Sequence, residues 1–234
     1  MNEMIKIAVV GGTGDLGFGL ALRWARAGVQ IVIGSRDEKK AQDAAERLKQ
    51  MLRTDALRPP QDFIVSGFEN PTACAQASIV VLAVPFPGQA IVLKSIRDSL
   101  KEKESILVDT TVPLAATIGG KATRLLGIWQ GSAAAQAREL VPPGVPVVAA
   151  FHNVSAAILQ DPSATPDCDV LICGDDKQAK ETVSSMVKLI PGLRPVDAGP
   201  LEMARIVESI TALLISVNSR YRVHHSGIRI TGLP

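Results

Sequence analysis

The 234-residue sequence predicts an α/β protein with a doubly wound, mainly parallel sheet, and three observations indicate this class. Short apolar segments rich in β-branched residues alternate with amphipathic segments, which is typical of parallel strands joined by helical crossovers. Residues 77–84 (ASIVVLAV) are apolar without alternation, as expected for a strand that is covered on both faces. Aromatic residues make up only 3% of the chain, so the core must consist mainly of aliphatic side chains.

The predicted elements follow from apolar periodicity and from the residues that end each segment. The first helix, for example, places Leu16, Leu20 and Trp24 on one face, and Gly28 ends it. In the first half of the chain we expect strands over residues 4–10, 29–33, 62–66, 77–84 and 105–109, helices over 14–27, 37–52 and 90–100, and a proline-containing loop over 53–61. In the second half we expect helices over 133–140 and 177–190, strands over 147–151, 169–173 and 193–196, and a last helix that begins near residue 201.

Composition excludes several classes of protein. A net charge of +2 is too small for a general binder of nucleic acid or of membrane surfaces. No apolar run approaches the ~18 residues that a membrane-spanning helix needs. The three cysteines, Cys74, Cys168 and Cys173, are odd in number and lack metal-ligand spacing, so we predict no metal site and a reducing compartment. We therefore expect a soluble, cytoplasmic protein.

A glycine-rich turn stands between the first predicted strand and the first predicted helix. It reads G-x-G-x-x-G and consists of Gly12, Thr13, Gly14, Asp15, Leu16 and Gly17. Gly12 is expected to permit the tight turn, Gly14 to let the backbone approach a diphosphate, and Gly17 to let the helix pack closely on the strand. Backbone N–H groups at the helix start would then bind the diphosphate. This context predicts a Rossmann-type dinucleotide site.

The same turn permits a second register, G-x-x-G-x-x-G, which begins at Gly11 and resembles that of short-chain dehydrogenases. Those enzymes use a Tyr-x-x-x-Lys pair as acid. The only tyrosine here is Tyr221, and His225 stands four residues after it. The catalytic pair is therefore missing.

The residues after the second predicted strand indicate which nucleotide binds. An NAD site usually has an acidic residue about 20 residues beyond the glycines, at the end of that strand. Here the strand ends in Ser35 and Arg36, and Lys40 follows one turn into the next helix. These side chains supply a hydroxyl and two cations for a 2′-phosphate, so we predict NADP(H).

Three predicted strand ends are candidates for the nicotinamide end of the site. In a doubly wound sheet, ligands bind beyond the carboxyl ends of the strands. One such end carries Val84 and Pro85, another begins at Asp109, and the third carries His152. His152 is the candidate catalytic residue, either as a hydrogen-bonding group for the second substrate or as an acid.

Several segments together resemble one known family. They are GGTGDLGFGLALRWARAG, VIGSRDEKKA, VLAVPF, CGDD and GLRPVDAGPLEMARIVESIT. The chain is similar over nearly its whole length to F420-dependent NADP reductases, which exchange a hydride between NADP(H) and the deazaflavin coenzyme F420. The resemblance implies a role for each part of the site. The diphosphate region would be held by Thr13, Gly14, Asp15 and Leu16, and the 2′-phosphate by Ser35, Arg36 and Lys40. The nicotinamide half would lie by Val84 and Ala156, and the deazaflavin would be flanked by His152 and Val154.

Two alternative functions share the features of the N-terminal half. One is an NADPH-dependent reductase of another acceptor, such as a flavin, a ferric chelate or an imine. The other is a sensor that binds NADP(H) without turning it over.

The expected organisation is an NADP-binding part over residues 1–150 and a smaller part over 151–234 that completes the site of the second substrate. The last helix carries an apolar stripe that must be buried against the core or a second subunit, and a homodimer is expected. The stripe consists of Met203, Ile206, Val207, Ile210, Leu213, Leu214 and Val217.

Overall fold

An eight-stranded sheet organises the chain, of which the computed structural model describes residues 5–54 and 63–233. The strands are β1 (Lys6–Val10), β2 (Gln30–Ser35), β3 (Val65–Glu69), β4 (Ile79–Leu82), β5 (Ile106–Asp109), β6 (Val147–Ala149), β7 (Cys168–Gly174) and β8 (Leu193–Gly199). They lie in the order β3-β2-β1-β4-β5-β6-β7-β8. The order reverses between β1 and β4, which is the point where doubly wound sheets bind ligands.

Helices cover both faces of the sheet. They are α1 (Asp15–Arg26), α2 (Glu38–Arg53), α3 (Asn70–Cys74), α4 (Phe86–Glu102), α5 (Ala133–Leu140), α6 (Ala156–Gln160), α7 (Lys177–Lys188) and α8 (Ala204–Tyr221). Buried side chains of α1, α2, α6 and α7 form one core layer, and those of α3, α4, α5 and α8 form the layer on the opposite face. Within the described residues, no helix is both long enough and apolar enough to cross a membrane.

The predicted fold class is confirmed, because strands β1 to β6 pair in parallel. β7 runs antiparallel to β6, and β8 is parallel to β7. The connection from β6 to β7 contains only the five-residue α6. The predicted division at residue 150 falls between β6 and β7, which pair within this one sheet.

Trp24 is the largest fully buried side chain and connects α1 to the second half of the chain. Its Nε1 donates to the carbonyl oxygen of Met186 in α7 at 3.0 Å. Its ring meets the ring of Phe151 edge-on, with 5.6 Å between the centroids. Such an aromatic pair stabilises the fold by about 0.5–1.5 kcal/mol beyond the contribution of the surface that it buries.

Several predicted boundaries were wrong by a few residues. The helix expected over 90–100 begins at Phe86, because Pro87 in the first turn needs no hydrogen-bonded N–H. The strand expected over 147–151 ends at Ala149, because Phe151 has a φ of +66°, which a strand cannot contain. The strand expected over 62–66 lies at Val65–Glu69. Of the predicted loop over 53–61, residues 55–61 lie outside the described residues, as do Met4 and Asp62.

Candidate active site

A cavity of about 740 Å³ opens at the carboxyl ends of β1, β2 and β4, where the strand order reverses. Among the predicted site residues, seven line this cavity: Thr13, Gly14, Ser35, Arg36, Lys40, Val84 and Pro85. The cavity therefore brings together the glycine turn, the end of β2 and the end of β4. Its volume lies within the ~300–1,000 Å³ that is usual for small-molecule sites.

The glycine turn fits tightly against the strand ends, and its tightest residue is Gly11. Gly11 has a φ of +82°, and a Cβ on it would lie 2.3 Å from the carbonyl oxygen of Ala83. Gly17 packs against the same turn, since its Cβ would lie 2.6 Å from the carbonyl oxygen of Gly11. The residue of this turn with a positive φ is therefore Gly11, while Gly12 donates its backbone N–H to the carbonyl oxygen of Val9 at 3.1 Å. Gly12 is constrained by packing, with 2.9 Å from its Cβ position to the carbonyl oxygen of Val9.

Helix α1 begins at the cavity with exposed backbone donors. Its N-cap is Gly14, which has no side chain to cap the helix. A Cβ on Gly14 would meet only the carbonyl oxygen of Gly11, at 3.4 Å, so the space in front of the helix is open. N–H groups in the first turn of a helix have no intrahelical partner, and the helix dipole favours an anion there. This end of the cavity fits a diphosphate.

Two cations and a hydroxyl lie where β2 ends. Ser35 is half-buried, and Arg36 and Lys40 are exposed at the mouth of the cavity. Asp37 accepts a hydrogen bond from the backbone N–H of Lys40 at 3.2 Å and caps α2. Its carboxylate is engaged by the helix start. In the described part of the chain, neither Arg36 nor Lys40 forms an ion pair, and both residues line the cavity.

His152 lies beyond the end of β6, and the structure buries it. It is 5% exposed, and neither ring nitrogen has a hydrogen-bond partner among the described residues. Burial lowers the pKa of the His152 imidazole to about 3. Its carbonyl oxygen accepts from Thr211 Oγ1 of α8 at 2.8 Å. A ring that stays neutral near pH 7 is a poor proton donor, so this environment favours hydrogen bonding over acid catalysis.

Two predicted residues of the later strand end lie away from the main cavity. Ala156, the first residue of α6, lines a shallow depression together with Asp15. Val154 is 8% exposed and lies under the C-terminal segment that contains His225 and Gly227. α6 is held against α1 because Gln160 Nε2 donates to the backbone carbonyl oxygen of Asp15 at 3.0 Å.

Sequence reasoning missed Asn70, which lines the main cavity at the start of α3. It is 3% exposed, and its Oδ1 has no hydrogen-bond partner in the described residues. The only sequence signal was an asparagine next to Pro71 after a strand, which usually indicates a turn.

A pair of buried carboxylates was also missed. Glu208 of α8 is 2% exposed and accepts from the backbone N–H groups of Ala133 and Ala134, at 2.9 and 3.0 Å. Asp109 at the end of β5 is fully buried and accepts from Gln89 Nε2 at 2.6 Å. Burial raises the pKa of Glu208 to about 8 and that of Asp109 to about 6. A glutamate beside an apolar helical stripe was the available signal for the first of them.

Comparison with known proteins places this geometry in a family. Residues 6–113 match the family model described as NADP oxidoreductase, coenzyme F420-dependent. The chain is 47% identical over 232 residues to the F420-dependent NADP reductase of Methanothermobacter thermautotrophicus, with 99% of this chain and 97% of that protein covered. It is 42% identical to the enzyme of the same name from Methanocaldococcus jannaschii, with 98% and 99% covered.

A solved structure supports the fold. The crystal structure of a protein from Arthrobacter sp. FB24 superposes with a TM-score of 0.79 at 24% identity, with 97% of this chain and 99% of that one covered. At that identity the likeness shows the fold alone, whereas the two archaeal relatives show the family. The chain belongs to the F420-dependent NADP reductase family.

Proposed function

We propose that this chain transfers a hydride between NADP(H) and coenzyme F420 at the carboxyl ends of β1, β2 and β4. The reaction is the one for which its family is named. The single observation that carries the placement is the cavity that joins an open helix N-terminus to Arg36 and Lys40. Reduction of a flavin, a ferric chelate or an imine, and a purely sensory role, are not favoured by the archaeal relatives.

The chain's own groups bind and orient the nucleotide. The diphosphate is held by backbone donors at Gly14, Asp15 and Leu16, next to Thr13. The turn stays close to the strands because it contains Gly11, Gly12 and Gly17. Ser35, Arg36 and Lys40 hold the 2′-phosphate through charge-assisted hydrogen bonds. Val84 and Pro85 present apolar surface to the nicotinamide half.

The second substrate is assigned to the region of the later strand end, whose predicted residues lie outside the main cavity. When bound, NADPH would supply a hydride from nicotinamide C4 to the deazaflavin ring of F420, which would also take up one proton from solvent. The protein's part is to hold the two rings in contact and to exclude water. We assign Ala156 and Val154 to the surroundings of the rings. We assign the hydrogen bond to the second substrate to His152, because neither of its buried ring nitrogens has a partner among the described residues.

The test is the loss of absorbance of oxidised F420 with NADPH and with NADH, for the wild type and for Arg36→Gln. Removing one charge-assisted hydrogen bond costs about 1.5–3 kcal/mol. That range corresponds to a KM for NADPH raised ~10–100-fold. The KM for NADH should not change, because NADH has no 2′-phosphate.

Lys39→Ala is the matched control, since Lys39 is an exposed lysine of α2 next to Lys40 that does not line the cavity. Equal effects of Arg36→Gln on both nucleotides would refute the 2′-phosphate site. Absence of F420 reduction by the wild type, with NADPH still bound, would refute the reaction.

We further propose a homodimer formed through α8. Val207 and Leu214 of the predicted stripe are buried in the core, but Ile206 and Leu213 remain 51% and 59% exposed. A second copy would cover them. Leu213→Glu should then lower the molar mass measured by light scattering, while Ser219→Glu, on another face of α8, should leave it unchanged. An unchanged mass for Leu213→Glu would reject this interface.

We also assign the protein to the cytoplasm, because its three cysteines are buried free thiols.

A further inference from the structure

Asn70 is a buried polar residue for which the described structure shows no partner. It follows β3 directly and lines the main cavity at its inner wall. The residue is 3% exposed, and its Oδ1 is buried without a hydrogen bond among the described residues. Buried side-chain amides in folded proteins are nearly always hydrogen-bonded. An unpaired one on a residue that lines a ligand cavity indicates a group that the ligand satisfies.

The position of Asn70 relative to β2 narrows the choice of ligand group. A Cβ on Gly34 would lie 3.0 Å from Asn70 Oδ1, so the amide oxygen lies directly over this residue of β2. The next two residues along the strand end are Ser35 and Arg36, which line the same cavity. Asn70 therefore lies beside the groups assigned to the 2′-phosphate, and the absence of a side chain on Gly34 leaves the room for its amide.

We propose that Asn70 is a nucleotide-binding residue that hydrogen-bonds the adenosine ribose of NADP(H), at the hydroxyl next to the 2′-phosphate. The inference rests on the proposed function for the identity of the nucleotide. It adds a polar contact from β3 to a site otherwise built by β1, β2 and β4.

The chemistry of the amide favours the ribose over the phosphate. Oδ1 of Asn70 needs a donor, which a phosphate near neutral pH does not supply. A ribose hydroxyl both donates and accepts, so it satisfies either end of the amide. A neutral residue here also avoids repulsion of the 2′-phosphate, which a carboxylate would cause.

Two variants test the assignment. NADPH and NADH are titrated into each variant at pH 8 in the absence of F420, and binding is measured by the fluorescence of the nucleotide. Asn70→Ala removes one hydrogen bond and should weaken both nucleotides equally, by about 3–10-fold. Asn70→Asp keeps the shape and adds a charge. It should weaken NADPH at least 10-fold more than NADH, because the carboxylate repels the 2′-phosphate and still accepts from a ribose hydroxyl.

Thr72→Ala is the control, since Thr72 is exposed on the same short helix. Thermal melting of each variant separates a binding effect from loss of fold, and the isosteric Asn70→Asp keeps the test valid if Asn70→Ala unfolds. The proposal is overturned if Asn70→Ala binds both nucleotides as Thr72→Ala does, or if Asn70→Asp weakens both to the same degree.

Deamino-NADPH, which carries hypoxanthine in place of adenine, distinguishes the ribose from the base. With a ribose contact, the wild type should bind it as it binds NADPH, and Asn70→Ala should weaken both equally. Weak binding by the wild type, with no further loss in Asn70→Ala, would move the contact to the adenine amino group and overturn the assignment. A wild type that binds neither NADPH nor NADH would refute the proposed function instead.

Discussion

Stability should fall as the pH rises from 6 to 8, and Glu208 should be the main cause. Its carboxyl lies between α8 and the start of α5, 2% exposed, and burial raises its pKa from 4.5 to about 8. A raised pKa means that the folded protein holds a proton that the unfolded chain has released. The stability that this proton contributes is complete below pH 4.5 and is lost as the pH rises through about 8.

The size of the effect follows from the two pKa values. While Glu208 is protonated in the fold and ionised in the unfolded chain, the free energy of unfolding falls by about 1.4 kcal/mol per pH unit. The slope flattens as the pH approaches the folded pKa, so the loss between pH 6 and 8 is about 2 kcal/mol. Asp109 adds little over this interval, because its pKa of about 6 lies at the lower edge. His152 offsets part of the loss, because its pKa of about 3 in the fold lies below the 6.5 of the unfolded chain and the stability it costs is recovered as the pH rises through 6.5.

Urea unfolding at pH 6, 7 and 8 measures this loss directly. Glu208→Gln keeps the shape of the side chain and removes the titration, so its stability should vary by well under 1 kcal/mol over the same interval. Glu202→Gln, which neutralises an exposed carboxylate one residue after Leu201, should follow the wild type. Parallel profiles for Glu208→Gln and the wild type would refute the reasoning, since the proton would then reside elsewhere.

Three further changes have expected outcomes. Gly17→Ala places a methyl group 2.6 Å from the carbonyl oxygen of Gly11, so it should destabilise the fold by about 1–3 kcal/mol and weaken NADPH binding. Thermal melting and a fluorescence titration with NADPH measure the two effects, and no change in either would contradict the prediction. Trp24→Ala empties a fully buried site and should lower the free energy of unfolding by about 3–5 kcal/mol in urea, and a loss below 1 kcal/mol would be inconsistent with the packing. Asp169→Asn weakens the hydrogen bonds from Arg194 and Arg229 and should cost about 1.5–3 kcal/mol, whereas equal stability at pH 7 would show that these contacts contribute nothing.

The N-terminal lining of the main cavity was predictable because its residues are close together in the sequence. The glycine spacing and the run from Ser35 to Lys40 each lie within a few residues, and each needs only a strand before it and a helix after it. Even there, the motif assigned the tight turn to Gly12 and not to Gly11. Gly11 has the positive φ, and it also leaves no room for a Cβ beside Ala83 at the end of β4, a contact between distant segments that a local pattern does not show.

The burial of the polar groups could not be predicted either, because it depends on contacts between elements that are distant in sequence. Glu208 and the N–H groups of Ala133 and Ala134 lie far apart in sequence, and only the packing of α8 on α5 makes them partners. Asn70 resembles an ordinary turn residue until β3 is placed beside β2. The charge of a side chain is visible in the sequence, but its burial depends on which elements become neighbours.

The backbone bend after β6 also depends on contacts with elements that are distant in sequence. Phe151 is fully buried with a φ of +66°, an unfavourable conformation for a bulky residue that persists only where the surrounding structure enforces it. Its ring meets that of Trp24, and the indole of Trp24 is itself fixed by the carbonyl oxygen of Met186. The same helix α1 that begins at the glycine turn therefore packs against the bend that precedes His152. One buried aromatic pair joins the start of the N-terminal half to the backbone that carries His152, and only the folded arrangement of α1 on the sheet brings the two together.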